Sequence, residues 1–288
     1  MSRLTDEARK IDTYFRSSSS PWRVLPDFII IGAQKGGTTS LYNYLIEHPS
    51  IKSARRKEVH FFDRNFHKGL SWYRTFFPTA LEKYYTERVL KREFITGEGS
   101  PEYLFYPHCA QKAWQTLPQV KIIALLRNPV ERAYSQYRHN LGWGHIKDMS
   151  FQDALALEEE QTKEGKARAQ VDEHYHDFAY QRASYLARGL YAEQLKKWMD
   201  LFPREQFLIL RTEDFYSDPA AIYTETLRFL GVSSLEPKGL KKGYRIYNQS
   251  SESTPSKMDP ATRERLSAYF APHNAQLYEL VGRDFGWH

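Results

Sequence analysis

A short apolar run followed by a glycine-rich loop constrains this fold more than any other stretch. Residues 28–31, FIII, are apolar at every position, which is typical of a strand buried on both faces of a sheet. The loop GAQKGG follows at 32–37, and residues 38–48 predict a helix that Pro49 ends. A strand, a glycine loop and a helix in this order can form a cradle whose backbone N–H groups bind an anionic group.

Later parts of the chain repeat the alternation of strand and helix. Apolar runs at 120–126 and 206–210 predict two further buried strands, and residues 94–97 a short fourth one. Helices are predicted after two of these strands, over 129–140 and 219–230. This spacing predicts the α/β class, in a single domain whose central parallel sheet is flanked by helices. Ligands of such sheets bind at the carboxyl ends of the strands.

Length and composition bound the organisation of the chain. Its 288 residues, 41% hydrophobic and 26% charged, indicate one large globular domain or at most two small ones. We expect an N-terminal arm over 1–26 and the folded domain over 27–288. A net charge of +6 favours anionic partners. Cys109 is the only cysteine and no apolar run near the N-terminus is long enough for a signal or a membrane span, so we expect a cytoplasmic protein.

The lysine of the glycine loop is out of register with the Walker A motif, GxxxxGK[ST]. That motif has its lysine directly after the last glycine, where this chain has Thr38, and Lys35 comes three residues earlier. ATP or GTP with magnesium is therefore disfavoured. Gly36, Gly37, Thr38 and Thr39 predict a cradle for one phosphate, with Lys35 free to act beside it. The alternative is an ordinary strand, turn and helix that happen to contain two glycines.

Several segments, spread in order over most of residues 27–288, resemble one known family. They are FIIIGAQKGGTTSLYNYLIEHPSI with EVHFFD at 58–63, GEGSPEYLF at 97–105, IIALLRNPVERAYSQYRH at 122–139, RGLYAEQLKKWMDLFP at 188–203 and the terminal LVGRDFGWH. The chain resembles the sulfotransferases that use 3′-phosphoadenosine 5′-phosphosulfate (PAPS), especially the heparan sulfate branch and its bacterial relatives. The resemblance implies a P-loop-like sulfotransferase fold and transfer of a sulfuryl group from PAPS to an acceptor hydroxyl.

The resemblance also implies a donor site. Arg127 and Ser135 would bind the 3′-phosphate, which an arginine fork and a hydroxyl suit, whereas the alternative for Arg127 is a structural ion pair with Glu131. The loop residues that would hold the 5′-phosphosulfate are Lys35, Gly36, Gly37, Thr38, Thr39 and Ser40.

The adenosine end of the donor has weaker candidates. Tyr191 is a possible pocket residue, although a core aromatic is an equal alternative. Lys242, Gly243 and Tyr244 lie where the family has a loop over the adenosine, and could supply charge, turn and a stacking plane. A basic surface loop is the alternative for these three residues.

The catalytic candidates are Glu58, His60 and Lys35. Glu58 and His60 are two apart, so in an extended segment both would point the same way. Transfer to an alcohol requires removal of the acceptor proton, and the resemblance implies that Glu58 is the general base, assisted by His60. Lys35 would stabilise charge on the leaving oxygen, and we predict no metal. Without the resemblance, an ion pair of Glu58 with a cation at 55–57 would be the preferred interpretation.

The sequence leaves open the identity of the acceptor and the structure of one charged segment. Cations at 52–57 favour a saccharide or glycolipid acceptor, and a lipid alcohol or small metabolite is the alternative. Gly99 stands where the heparan sulfate enzymes commonly carry a lysine, so the acceptor is not copied from that branch. The charged stretch 158–177 is either a mobile surface flap or a solvated helix end.

Parts of the sequence are also compatible with two other function classes. A P-loop kinase or NTPase shares the sheet and the glycine loop, but the lysine is displaced and no acidic metal ligand follows the strand at 120–126. A basic binding module for nucleic acid or glycan is suggested by KSARRK at 52–57. No nucleic-acid recognition motif accompanies that patch, so we expect no nucleic-acid partner.

Overall fold

A parallel sheet forms the centre of the protein, whose computed structural model describes residues 12–233 and 257–287. The strands are β1 (Phe28–Gly32), β2 (Ile51–Ser53), β3 (Ile95–Gly99), β4 (Lys121–Leu126) and β5 (Phe207–Arg211). Their order in the sheet is β2-β3-β1-β4-β5, and every neighbouring pair is parallel. This arrangement confirms the predicted α/β fold with a central parallel sheet flanked by helices.

Strand β1 is buried on both faces, as its uniform apolar pattern predicts. Ile29 and Ile31 pack into one hydrophobic cluster, and Phe28 and Ile30 pack into another on the opposite face. Successive strand residues point to opposite faces of a sheet, so a strand between two cores must be apolar throughout. The central position of β1 between β3 and β4 follows from this burial.

Helices cover both faces of the sheet. The cluster around Phe28 receives side chains from the helices at 38–46 and 219–230. The cluster around Ile29 receives them from the helices at 109–116, 191–199 and 260–281. In chain order, the helices are α1 (Thr38–Ile46), α2 (Gly69–Arg74), α3 (Ala80–Tyr84), α4 (Cys109–Thr116), α5 (Pro129–Gly142), α6 (Phe151–Ala156), α7 (Glu158–Val171), α8 (Phe178–Ala183), α9 (Tyr191–Met199), α10 (Thr212–Ser217), α11 (Pro219–Leu230) and α12 (Pro260–Val281).

The two predicted helices after β4 and β5 have clear N-caps. Asn128 accepts hydrogen bonds from the backbone N–H groups of Val130 and Glu131 at the start of α5. Asp218 does the same for Ala221 at the start of α11, which ends at the left-handed Gly231. Each helix begins at a proline, whose missing N–H costs nothing in the first turn.

Strand boundaries at the β2–β3 edge differ from the expectation. The sequence does not predict β2, because three residues are too few to show a period. Strand β3 runs two residues beyond its predicted end at Gly97. A Cβ atom at Gly97 would lie 2.5 Å from the ring of Phe28, so glycine here admits the neighbouring aromatic side chain instead of ending the strand.

The charged stretch 158–177 contains the regular helix α7, not a flap. Glu158 is buried, and its carboxylate accepts hydrogen bonds from the backbone N–H groups of Leu186 (2.7 Å) and Ala187 (3.1 Å). These bonds attach the start of α7 to the segment before α9. The charges on its outer face explain why the sequence lacks a clear period.

The N-terminal residues that the structure describes contact the segment after α2. Arg16 and Arg23 donate to the carbonyls of Thr75 (2.9 Å) and Phe77 (2.6 Å). The division of the chain at residue 26 stays a prediction. Among the helices within 12–233 and 257–287, none is both long and apolar enough to cross a membrane.

Candidate active site

A polar cleft of about 1050 Å³ opens at the carboxyl ends of the central strands. Its walls come from the loop after β1, the segment after β2, the loop after β3 and helix α5. Parallel sheets bind their ligands at this end. The predicted residues that line it are Lys35, Gly37, Thr38, Thr39, Glu58, His60, Arg127 and Ser135.

The glycine loop brings the N-terminus of α1 to the cleft. Gly37 adopts a left-handed conformation (φ +93°) directly before the first residue of α1. Gly36 packs against β4 so closely that a Cβ atom would lie 2.4 Å from the carbonyl oxygen of Leu125. Thr212 fixes the loop from below by donating to the carbonyl of Gly36 at 2.7 Å. The loop thus has a fixed shape, and it brings Thr38 and Thr39, the first residues of α1, to the cleft.

Three predicted members of the donor site, Gly36, Ser40 and Tyr191, do not line the cleft. Ser40 is buried and is not a lining residue. Tyr191 is also buried, and its hydroxyl donates to the carbonyl of Arg127 at 2.8 Å, so it supports the strand end that carries Arg127. Lys242, Gly243 and Tyr244 lie outside the described residues.

The donor side of the cleft is strongly cationic. Arg127 donates to the carbonyl of Lys35 at 3.4 Å. Burial, followed by the charges of Arg127 and Arg132, lowers the pKa of Lys35 to about 8. Glu131, the alternative partner for Arg127, pairs with Arg263 instead. In the part of the chain that the structure describes, no carboxylate forms an ion pair with Lys35 or Arg127, so this wall is built for an anion.

Glu58 and His60 form a charged pair on the opposite side. His60 Nε2 lies 3.7 Å from Glu58 Oε2, and His60 Nδ1 lies 2.7 Å from Oδ2 of the buried Asp63. Burial raises the pKa of Glu58, but the interaction with His60 and the charge of Lys57 outweigh it and bring the pKa to about 2. Burial lowers the pKa of His60, but Asp63 and Glu58 raise it to about 9. Glu58 is therefore anionic and His60 cationic at neutral pH.

The ion pair considered as the alternative for Glu58 is also present. Lys57 Nζ donates to Glu58 Oε1 at 2.8 Å. Nevertheless, the carboxylate stays partly exposed and lines the cleft. The pairing therefore holds Glu58 ionised without removing it from the site.

The backbone at the three catalytic candidates is left-handed. The φ angles are +66° at Lys35, +61° at Glu58 and +55° at His60, a region that non-glycine residues rarely adopt. Among the described non-glycine residues, only Lys91 and Asp148 share it, and both are exposed. The sequence suggested an extended segment around Glu58. The structure shows a left-handed turn there instead. Such strain concentrates at functional sites, where the surrounding structure must enforce it.

A buried carboxylate at the end of β3 enforces that turn. Glu98 accepts hydrogen bonds from the hydroxyls of Ser100 (2.7 Å) and Tyr103 (2.6 Å). The same two hydroxyls accept the backbone N–H groups of His60 (3.1 Å) and Phe61 (2.8 Å). Burial raises the pKa of Glu98. Sequence reasoning missed this role, because no local signal connects residues forty positions apart.

The cleft is lined by further residues that the sequence did not single out. His139 and Trp143 come from the end of α5, and Arg64 and Arg182 line the cleft as well. Burial, followed by the charge of Lys35, lowers the pKa of His139 to about 4, so its imidazole is neutral. Trp143 is 70% exposed. An exposed aromatic ring and two guanidinium groups that line the same cleft can bind a polar ring.

The described residues contain no group of three or more His, Cys, Asp or Glu side chains that could hold a metal ion.

Comparisons with known proteins show which family the chain resembles. The profile of the sulfotransferase domain family matches residues 25–270. The chain is 28% identical to the membrane-associated sulfotransferase kil1 of Dictyostelium discoideum, over 91% of this chain and 66% of that protein. It is 30% identical to heparan sulfate glucosamine 3-O-sulfotransferase 6 of Mus musculus, over 92% of this chain and 74% of that protein.

A solved structure shares the fold. The crystal structure of a sulfotransferase from Alicyclobacillus acidocaldarius superposes with a TM-score of 0.65 and 34% identity, covering 92% of this chain and 99% of that one. These matches confirm the resemblance drawn from the sequence motifs. With its glycine loop, its parallel sheet and a profile match over most of its length, the chain belongs to the sulfotransferase domain family.

Proposed function

We propose that this sulfotransferase moves a sulfuryl group from PAPS to the hydroxyl of a saccharide or glycolipid, with Glu58 as general base. The observation that carries the proposal is one cleft with two opposite walls. One wall holds Lys35 and Arg127, which form no ion pair with an acid in the described part of the chain, and the other holds the ionised Glu58. An anionic donor and a neutral hydroxyl need these two environments side by side.

The donor wall has the groups that a nucleotide with two separate anionic groups requires. The N-terminus of α1 and the hydroxyls of Thr38 and Thr39 suit a 5′-phosphosulfate. Arg127 and Ser135, which lie together in the cleft, suit a terminal 3′-phosphate. These contacts make the 3′-phosphate the feature that distinguishes the donor from ATP.

The reaction is an in-line displacement at sulfur. The acceptor oxygen bonds to sulfur, the bond from sulfur to the bridging phosphate oxygen breaks, and the acceptor proton passes to the Glu58 carboxylate. The hydroxyl becomes more acidic as its oxygen bonds to sulfur, so even a carboxylate with a low pKa can accept the proton in the transition state. Lys35 stabilises the charge that develops on the departing oxygen.

The acceptor assignment rests on the outer wall and on the relatives. Heparan sulfate sulfotransferases are among the similar proteins, which supports a saccharide acceptor here. Trp143 offers an exposed ring, and Arg64 and Arg182 offer donors to hydroxyl or acidic groups of a sugar. The low cysteine content supports a cytoplasmic location, which we include in the proposal.

A calorimetric titration with adenosine 3′,5′-bisphosphate, the donor's product, tests the donor. We expect metal-independent binding that Arg127→Ala weakens at least tenfold and that Arg228→Ala, at an exposed arginine on α11, leaves unchanged. ATP with magnesium is titrated in parallel. Tighter binding of ATP with magnesium would overturn the proposal in favour of a kinase.

A further inference from the structure

An exposed apolar surface lies far from the cleft, on α3 and the π-helical turn Tyr85–Val89 that follows it. Its large apolar side chains are between 45% and 75% exposed, although an amphipathic helix normally turns such residues inward. Within 80–93, only Thr86 is buried. We call this the 81–90 surface, and its apolar residues are Leu81, Tyr84, Tyr85, Val89 and Leu90.

Unpaired cations are interleaved with these apolar residues. Arg88, Lys91 and Arg92 are exposed and form no ion pair with any residue in the described ranges. Among the acids of 80–93, Glu87 lies 3.9 Å from Lys83, Glu93 accepts a hydrogen bond from the Ser233 hydroxyl at 2.8 Å, and Glu82 is exposed with no ion pair in the described ranges. Four cations stand against three acids in this segment, so its net charge is +1, and three of the cations lie within 88–92.

The 81–90 surface lies at the end of the sheet where the strands begin. Thr79, directly before α3, forms a β-bridge with Arg23, and this places the 69% exposed Trp22 beside the helix. The charge of Lys83 acts on Asp27, which directly precedes β1. The cleft opens at the other ends of the strands. Nothing in the proposed reaction uses this surface.

We propose that the 81–90 surface docks the protein on a membrane with anionic lipids. Aromatic and aliphatic side chains mixed with Lys and Arg are typical of helices that lie in a lipid interface. A protein partner fits less well, because lysine is depleted from protein interfaces and a stable one uses about 20 to 30 residues a side. Docked in this way, the protein turns its cleft away from the lipid, which favours a saccharide acceptor in solution over a glycolipid of the same membrane.

Vesicle sedimentation tests this proposal without reference to catalysis. The full chain is mixed with vesicles of phosphatidylcholine alone, or of phosphatidylcholine with phosphatidylserine, at low and high salt. We expect binding only to the anionic vesicles, weakened by salt. The double variant Leu81→Glu, Tyr85→Glu should reduce the bound fraction about fivefold or more, and so should Lys91→Glu with Arg92→Glu.

Matched controls lie on α7. Val171 is apolar and 86% exposed, so Val171→Glu tests the same chemical change elsewhere, and Lys163→Glu with Lys166→Glu repeats the charge reversal. These variants should bind like the unchanged protein. The proposal is overturned if the unchanged chain stays in solution with anionic vesicles, or if the α7 variants lose as much binding. It is also overturned if light scattering shows an oligomer that Leu81→Glu, Tyr85→Glu dissociates, since the surface then joins two copies.

Discussion

At the scale of single residues, the site depends on charges that neighbouring groups fix. Glu58 lies between Lys57 and His60, and His60 is held in turn by Asp63. This chain of alternating charge keeps the carboxylate ionised and oriented before an acceptor arrives. The left-handed backbone at Glu58 and His60 is energetically unfavourable. Contacts in the surrounding structure must therefore stabilise it.

The first prediction concerns Glu58. Glu58→Gln keeps the shape of the side chain but removes its basicity, so we expect kcat to fall by about 10² or more. The affinity for adenosine 3′,5′-bisphosphate, measured by calorimetry, should stay unchanged. Glu159→Gln, at an exposed position of α7, is the control. Near-normal turnover in Glu58→Gln would show that another group, with His60 the first candidate, takes the proton.

The second prediction concerns the pH dependence of Lys35. Its pKa of about 8 means that the ammonium loses its proton as the pH rises through 8. Because kcat/KM reports the free enzyme, kcat/KM should decline above pH 8. Lys35→Arg keeps its charge throughout this range, so its decline should begin about one pH unit higher, where His60 titrates. An identical decline at pH 8 in both proteins would assign that limb to a different group.

At the scale of elements, the end of β3 determines the geometry of the turn after β2. Glu98 holds Ser100 and Tyr103, and these hydroxyls hold the backbone of His60 and Phe61. The strain at the catalytic turn is thus balanced by a neighbouring strand. Glu98 and Ser100 lie beyond the predicted end of β3, and this is why the sequence could identify the catalytic turn but not its support.

The third prediction tests this support. Tyr103→Phe leaves the N–H of Phe61 without its acceptor and removes one donor to Glu98, so we expect about 1–3 kcal/mol less stability. We also expect kcat to fall about tenfold while the affinity for the bisphosphate is retained. Tyr106→Phe is matched, since its hydroxyl has only a 3.4 Å contact with the carbonyl of Asp177. Equal effects of the two variants would mean that Tyr103 contributes packing alone.

At the scale of the whole molecule, the sequence predicts the kinds of element better than their arrangement. Strand β1 is recognisable because burial on both faces demands apolar residues throughout. The strand order is not readable, because β1 pairs with β3 and β4, which lie far along the chain. For the same reason the sequence does not connect the cleft residues Arg64, in the segment after β2, and Arg182, in α8, and only the fold brings them together.

The fourth prediction concerns how α7 is attached to the fold. Glu158→Ala removes the acceptor of two part-buried backbone N–H groups, those of Leu186 and Ala187, so unfolding should require about 2–3 kcal/mol less free energy. The expected fall in melting temperature is several degrees. Glu159→Ala changes the exposed neighbour and should leave the melting temperature within about one degree. If both variants melt alike, the start of α7 contributes little to stability.

The parallel sheet also has a consequence for the synthesis of the chain. The ribosome delivers β1 early, yet one of its two partners, β4, begins only at Lys121. Until then an apolar strand has an unpaired edge, the condition under which nascent chains aggregate. We therefore expect fragments that end before β4 to be insoluble, and expression to improve when chaperones protect the unpaired edge of β1.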